Sequence, residues 1–93
     1  MAMTDLEVLT SKPTKCEYHT AFEMYGAQCG GLHLSQIPSL KGSIEILDFS
    51  DNKLHELSYN TLARYTNLKF LYLAENQIYE ISEDALSSLT GLQ

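Results

Sequence analysis

The sequence predicts an α/β fold, a right-handed solenoid fragment of short parallel strands opened by an N-terminal cap, and three observations carry that reading. Residues 44–67 (IEILDFSDNKLHELSYNTLARYTN) and residues 68–91 (LKFLYLAENQIYEISEDALSSLTG) are two copies of 24 residues that superimpose without a gap, with Leu92 opening a third. Their apolar positions coincide, pairing Ile44 with Leu68, Leu47 with Leu71, Phe49 with Leu73, Leu54 with Ile78, Leu57 with Ile81, Leu62 with Leu86 and Tyr65 with Leu89. Asn52 and Asn76 share one place inside this otherwise apolar series. A fixed period of that length marks a stacked repeat, in which each unit hides its apolar side only against its neighbours.

The elements follow from spacing. Residues 1–15 carry no apolar period and lack the apolar core of a secretory signal, and Met1-Ala2-Met3 looks like an expression start, so this stretch reads as a disordered or expression-derived leader. Within each copy the apolar residues fall at positions 1, 4 and 6, then 11 and 14, then 19 and 22. The first group ends in strand-like alternation and predicts strands near residues 45–49 and 69–73, while the later spacing by threes suits a turn of helix or a looser loop. The repeat asparagine has a structural reason. A coil that turns sharply after its strand strands backbone groups away from any ladder, and a buried amide satisfies them. Asn52 and Asn76 are therefore expected to form a structural asparagine ladder.

This pattern resembles the leucine-rich repeat, L-x-x-L-x-L-x-x-N-x-L, one short strand and a returning segment per coil. Upstream, Ala27-Gln28-Cys29-Gly30-Gly31-Leu32-His33-Leu34-Ser35-Gln36-Ile37-Pro38 resembles the flank V-x-C-S-G-L-x-L-x-x-I-P that opens extracellular domains of that family. Ala27 and Cys29 then take positions 4 and 6, Leu34 and Ile37 take positions 11 and 14, and a first strand lies near residues 25–29, parallel to the other two. The resemblance divides the chain into a cap over residues 16–43, repeats over 44–67 and 68–91, and the start of a third at 92–93. It also implies that Cys16 and Cys29, 13 apart, are bonded to hold the cap, although the full family pattern has four cysteines and this flank two. Free thiols in a cytosolic relative are one alternative, and a metal site with nearby His19 and His33 is another, although neither histidine makes a recognised zinc spacing with the cysteines.

Composition narrows the function classes. Twelve acids against six bases give a net charge of -6, which disfavours phosphate backbones and anionic lipid, so neither nucleic acid nor membrane insertion is expected. Residues 44–93 hold eight of those acids and three bases, and are the acidic half. No phosphate-binding loop, nucleophile elbow or H-E-x-x-H is present, so no catalysis, cofactor or metal is expected. Gly30-Gly31 reads as a cap turn, and His55, beside Glu56, as a surface histidine. Asp48, Asp51 and Glu75 read as solvated acids, with an oxygen-ligand cation site as the sharper alternative.

Alternation along the strands supplies a candidate partner-binding face. When positions 4 and 6 point inward, positions 3 and 5 point to the open face and positions 7 and 8 flank it. Those residues are Ile46, Asp48, Ser50 and Asp51 in one copy, and Phe70, Tyr72, Ala74 and Glu75 in the next, with Gln28 as the cap's equivalent. Ile46 is expected beside Phe70 and Asp48 beside Tyr72. An exposed Ile, Phe and Tyr edged by acids have the make-up of a protein-binding core and rim. The resemblance implies a recognition module of a secreted protein or receptor ectodomain, extracellular or at the cell surface, with roles such as innate-immune recognition, adhesion, guidance or hormone reception. Toll-like receptors and insect immune repeat proteins are its near analogues, and a protein ligand or co-receptor its expected partner. The competing reading is a purely structural cap for a longer solenoid whose ligand site lies elsewhere. Finally, Leu71, Leu73, Ile78, Ile81, Leu86 and Leu89 are expected to edge an open C-terminal face beside an unpaired strand, which invites a homodimer or another chain.

Overall fold

A computed structural model of the chain describes residues 15–93. The leader expected over residues 1–15 lies outside the described residues except for Lys15, which is exposed. The described chain runs β1 (Glu17–Ala21), β2 (Met24–Gln28), β3 (Ile46–Asp48), β4 (Glu56–Leu57), α1 (Tyr59–Leu62), β5 (Phe70–Tyr72) and β6 (Glu80–Ile81). Four strands form one sheet in the order β1-β2-β3-β5, and β4 and β6 make a separate parallel pair. The β2, β3 and β5 strands are mutually parallel, and β1 joins β2 antiparallel.

The apolar period sets where these strands bury. Ala27 and Leu47 share a register, as do Leu47 and Leu71, and Cys29, Leu47 and Phe49 are fully shielded from solvent. Ile44 and Leu68 close the same core from just before β3 and β5, and Leu54, Leu57 and Leu62 close it from the segment that follows β3. Tyr65 is buried with its polar tip satisfied: its hydroxyl donates to the Pro38 carbonyl at 3.1 Å and accepts from the Leu40 N–H at 3.1 Å. Burying a tyrosine without such partners would cost most of what its ring contributes.

Three features depart from what the period suggested. The β1–β2 hairpin is additional, turning through Phe22 (φ 54°) and Glu23 (φ 62°), two residues that carry none of the usual glycine or asparagine turn signal. The helical part is slight: α1 has four residues, and the matching stretch of the second copy runs as turns. In α1 the Thr61 hydroxyl accepts the Ser58 N–H at 3.1 Å, whereas the counterpart of Thr61 is Ala85, which has no hydroxyl. The C-terminal face is also less open than its composition suggests, since Leu89 is buried and Leu71, Leu73 and Ile78 are half-buried, leaving Ile81 and Leu86 exposed.

Cys16 and Cys29 are joined in a disulfide, their Cα atoms 4.4 Å apart. That bond removes the free-thiol and metal alternatives for this pair. It ties the residue before β1 to the buried residue after β2, so both ends of the hairpin are anchored together.

Candidate functional site

The sheet register lines up two rows of side chains on the face opposite the core. One row runs Glu17, Gln28, Asp48, Tyr72, and the other runs His19, Gly26, Ile46, Phe70. Glycine is needed at the second place of the latter row, because a Cβ on Gly26 would come 3.2 Å from the Ile46 Cβ and 3.6 Å from the His19 ring. His19 and Ile46 thus close over Gly26, and the face is continuous across all four strands. Glu17 and His19 were not in the set expected from the sequence, because β1 carried no apolar alternation to announce it.

Exposure is graded along these rows. Tyr72 is 51% exposed and Gln28 is exposed, whereas Ile46, Phe70, Asp48 and Ser50 are half-buried. The expected exposed Ile–Phe pair is therefore a partly sheltered floor, the two residues side by side in register, with Tyr72 more exposed in the neighbouring row. The Asp48 carboxylate is tied down as well, its Oδ1 accepting the Ser50 N–H at 3.0 Å. Asp51 and Glu75 have φ angles of 57° and 59°, the left-handed region, so each is also the turn residue that ends its strand segment and aims the following asparagine inward. Among the described residues no three of His, Cys, Asp and Glu gather as metal ligands.

Behind the turns lie the two asparagines. Asn52 accepts the Leu34 N–H at 2.8 Å and donates to the carbonyls of Cys29 at 2.8 Å and Phe49 at 3.2 Å. Asn76 does the same one coil on, accepting the Leu54 N–H at 2.9 Å and donating to the carbonyls of Phe49 at 2.9 Å and Leu73 at 3.0 Å. Each amide therefore bridges its own coil to the preceding one. Backbone bonds repeat in step, Lys53 N–H to the Leu34 carbonyl and Gln77 N–H to the Leu54 carbonyl.

At the start of the strands, the Lys69 ammonium lies 3.1 Å from the Glu45 carboxylate, which also accepts the Tyr25 N–H at 3.1 Å. The Tyr25 hydrogen bond first, and the Lys69 hydrogen bond after it, hold the Glu45 carboxyl below its ordinary value of 4.5, against an opposing effect of burial. The signal for this pair was in the sequence, since Glu45 and Lys69 occupy the same repeat position with opposite charge.

Parallel strands from successive coils, each closed by a left-handed turn and an inward asparagine amide, define a repeat protein whose units read side chains out onto a shared sheet face. The leucine-rich repeat family model matches residues 67–89. The mouse (Mus musculus) CD180 antigen is 40% identical over 80 residues, covering 85% of this chain and 12% of that protein. Toll-like receptor 2 of Macaca mulatta and of Macaca fascicularis is 44% identical over 57 residues in each case, 60% of this chain and 7% of the receptor. The chain thus carries a leucine-rich repeat and is similar, over most of its length, to an extracellular leucine-rich repeat family. It spans about an eighth of the length of the CD180 antigen and less of the Toll-like receptors.

Proposed function

We propose that this chain is a non-catalytic protein-recognition module of a receptor ectodomain or secreted protein, and that it binds a protein ligand or co-receptor through the sheet face. Gln28, Ile46, Asp48, Ser50, Asp51, Phe70, Tyr72 and Glu75 form that face, to which the β1 hairpin adds Glu17 and His19. The observation that carries the reading is the pair of continuous rows across β1, β2, β3 and β5, with a half-sheltered apolar floor and a half-exposed tyrosine rimmed by carboxylates. A disulfide in the cap supports an oxidising, extracellular or cell-surface setting. The likeness to the CD180 antigen and Toll-like receptor 2 supports a receptor role in innate immunity.

The stacked geometry supports a solenoid in which residues 16–43 cap the repeats at 44–67 and 68–91. The outer edge of β5, flanked by exposed Ile81 and Leu86, is the place for a homodimer contact. Ile81→Lys should then abolish any concentration dependence of the mass measured by light scattering.

A photo-reactive residue tests the binding face directly. Placed at position 72 it should cross-link cell-surface or secreted proteins that the same group at position 59, on α1, does not reach. Equal cross-linking from both positions would remove the sheet face as the site and favour a purely structural cap.

A further inference from the structure

Away from the sheet face, on the flank that follows the asparagine turns, a groove of about 450 Å³ crosses three successive coils. Gln36 and Ile37 line it from the cap, His55, Glu56 and Thr61 from the first copy, and Tyr79 from the second. Two rings form one wall. Tyr79 is 76% exposed, and its ring lies 5.8 Å from the His55 ring at a tilt of 36°. His55 is steadied by a 3.0 Å hydrogen bond between its Nε2 and the Gln77 Oε1.

Beside that wall stands an electrostatic conflict. Glu56 and Glu80 are direct partners in the β4–β6 ladder, and both are exposed. Like charges directly opposite in a ladder destabilise it. Among the described residues the ion pair is Glu45 with Lys69, and neither Glu56 nor Glu80 has a basic partner. The short strand pair therefore carries a repulsion that an incoming cation would reverse.

One side chain meets all of these features. A guanidinium is flat enough to lie on an aromatic wall, forks onto a carboxylate with two parallel N–H bonds, and is weakly hydrated for a cation. An ammonium would supply the charge without the stacking or the fork. We infer that the flank groove is a second binding site that takes an arginine side chain from a protein partner, with Glu56 accepting the guanidinium and Tyr79 and His55 forming its stacking wall. The neighbouring Glu80 adds negative potential, in keeping with the acidic balance of residues 44–93. This site shares no residue with the sheet face, so a partner could engage both without competition.

The test is an NMR titration of the full 93-residue chain with acetyl-Gly-Arg-Gly-amide at millimolar concentration. Saturable shifts confined to the amides around His55, Glu56, Thr61 and Tyr79 are expected, with none from the citrulline peptide, which has the same shape and no charge. Glu56→Gln and Tyr79→Leu should each weaken binding by about fivefold or more, as loss of a charged hydrogen bond or of a cation–π contact does. Both positions are exposed, so both variants keep the fold. Glu83→Gln, which removes an exposed carboxylate outside both the groove and the sheet face, should leave the titration unchanged even if the sheet-face reading fails. Shifts scattered over all the carboxylates, equal binding by the lysine or citrulline peptide, or an unchanged affinity in Glu56→Gln would each overturn the proposal.

Discussion

The Asn52 amide donates to the Cys29 carbonyl at 2.8 Å, so the first repeat asparagine holds the same residue that the disulfide holds. The hairpin and the first 24-residue copy thus meet at Cys29 as well as along the β2–β3 ladder, with the covalent bond on one side of that residue and the amide on the other. Asn52 is 5% exposed and Asn76 half-buried, although their bonding is nearly identical. Asn52→Ala should cost about 1–3 kcal/mol, because it strands the Leu34 N–H and the Cys29 carbonyl away from water. Asn76→Ala should cost less, since solvent can reach the groups it leaves. Urea denaturation of the two variants checks both the size and the order.

Acid should weaken the start of the strands through Glu45. Its carboxyl is held below 4.5 in the folded chain, chiefly by the Tyr25 N–H and then by Lys69. A depressed folded value means that the contribution is complete above the unfolded value. It is lost as pH falls below 4.5 and through the lower folded value. Glu45→Gln should therefore reduce stability at neutral pH while flattening the acid limb of the stability profile, as followed by circular dichroism between neutral pH and strongly acidic conditions. An acid limb as steep as that of the parent chain would move the effect to other carboxylates.

Reduction should act on the hairpin. The disulfide closes a separation of 13 residues, for which chain-entropy arguments give about 3 kcal/mol. Cys16→Ser is the gentler probe, because Cys16 is half-buried whereas Cys29 is fully buried. It should lower the melting temperature and raise amide exchange across Glu17–Ala21 well before exchange rises in Ile46–Asp48. Uniform loss of protection in both strands would mean that the hairpin and the repeats unfold as one unit.

The sequence made the repeats legible and the hairpin opaque, for physical reasons. Leu47 and Phe49 alternate across Asp48, and Leu71 and Leu73 hold the same two places one repeat on, so β3, β5 and their parallel register follow from the repeat pattern. The β1 segment EYHTA shows no comparable alternation, and its turn is made by Phe22 and Glu23 in a left-handed conformation those residues rarely take. Missing β1 meant missing Glu17 and His19 on the sheet face. The pairing of Glu56–Leu57 with Glu80–Ile81 was hidden too, since two-residue strands carry no period of their own. Burial was the remaining gap: alternation put Ile46 and Phe70 on the correct side of the sheet, but their shelter comes from lateral packing that no single strand encodes.

The central claim is that the sheet face recognises a protein, and one affinity measurement tests it most directly. Surface plasmon resonance would compare the parent chain, Phe70→Ala/Tyr72→Ala and the control Tyr59→Ala, against a protein cross-linked through position 72. Aromatic anchors dominate most interfaces, so the double variant should lose more than about 1 kcal/mol of binding, about fivefold, while its circular dichroism spectrum still matches that of the parent, and Tyr59→Ala binds as the parent does. An unchanged affinity with both aromatics replaced would contradict the account.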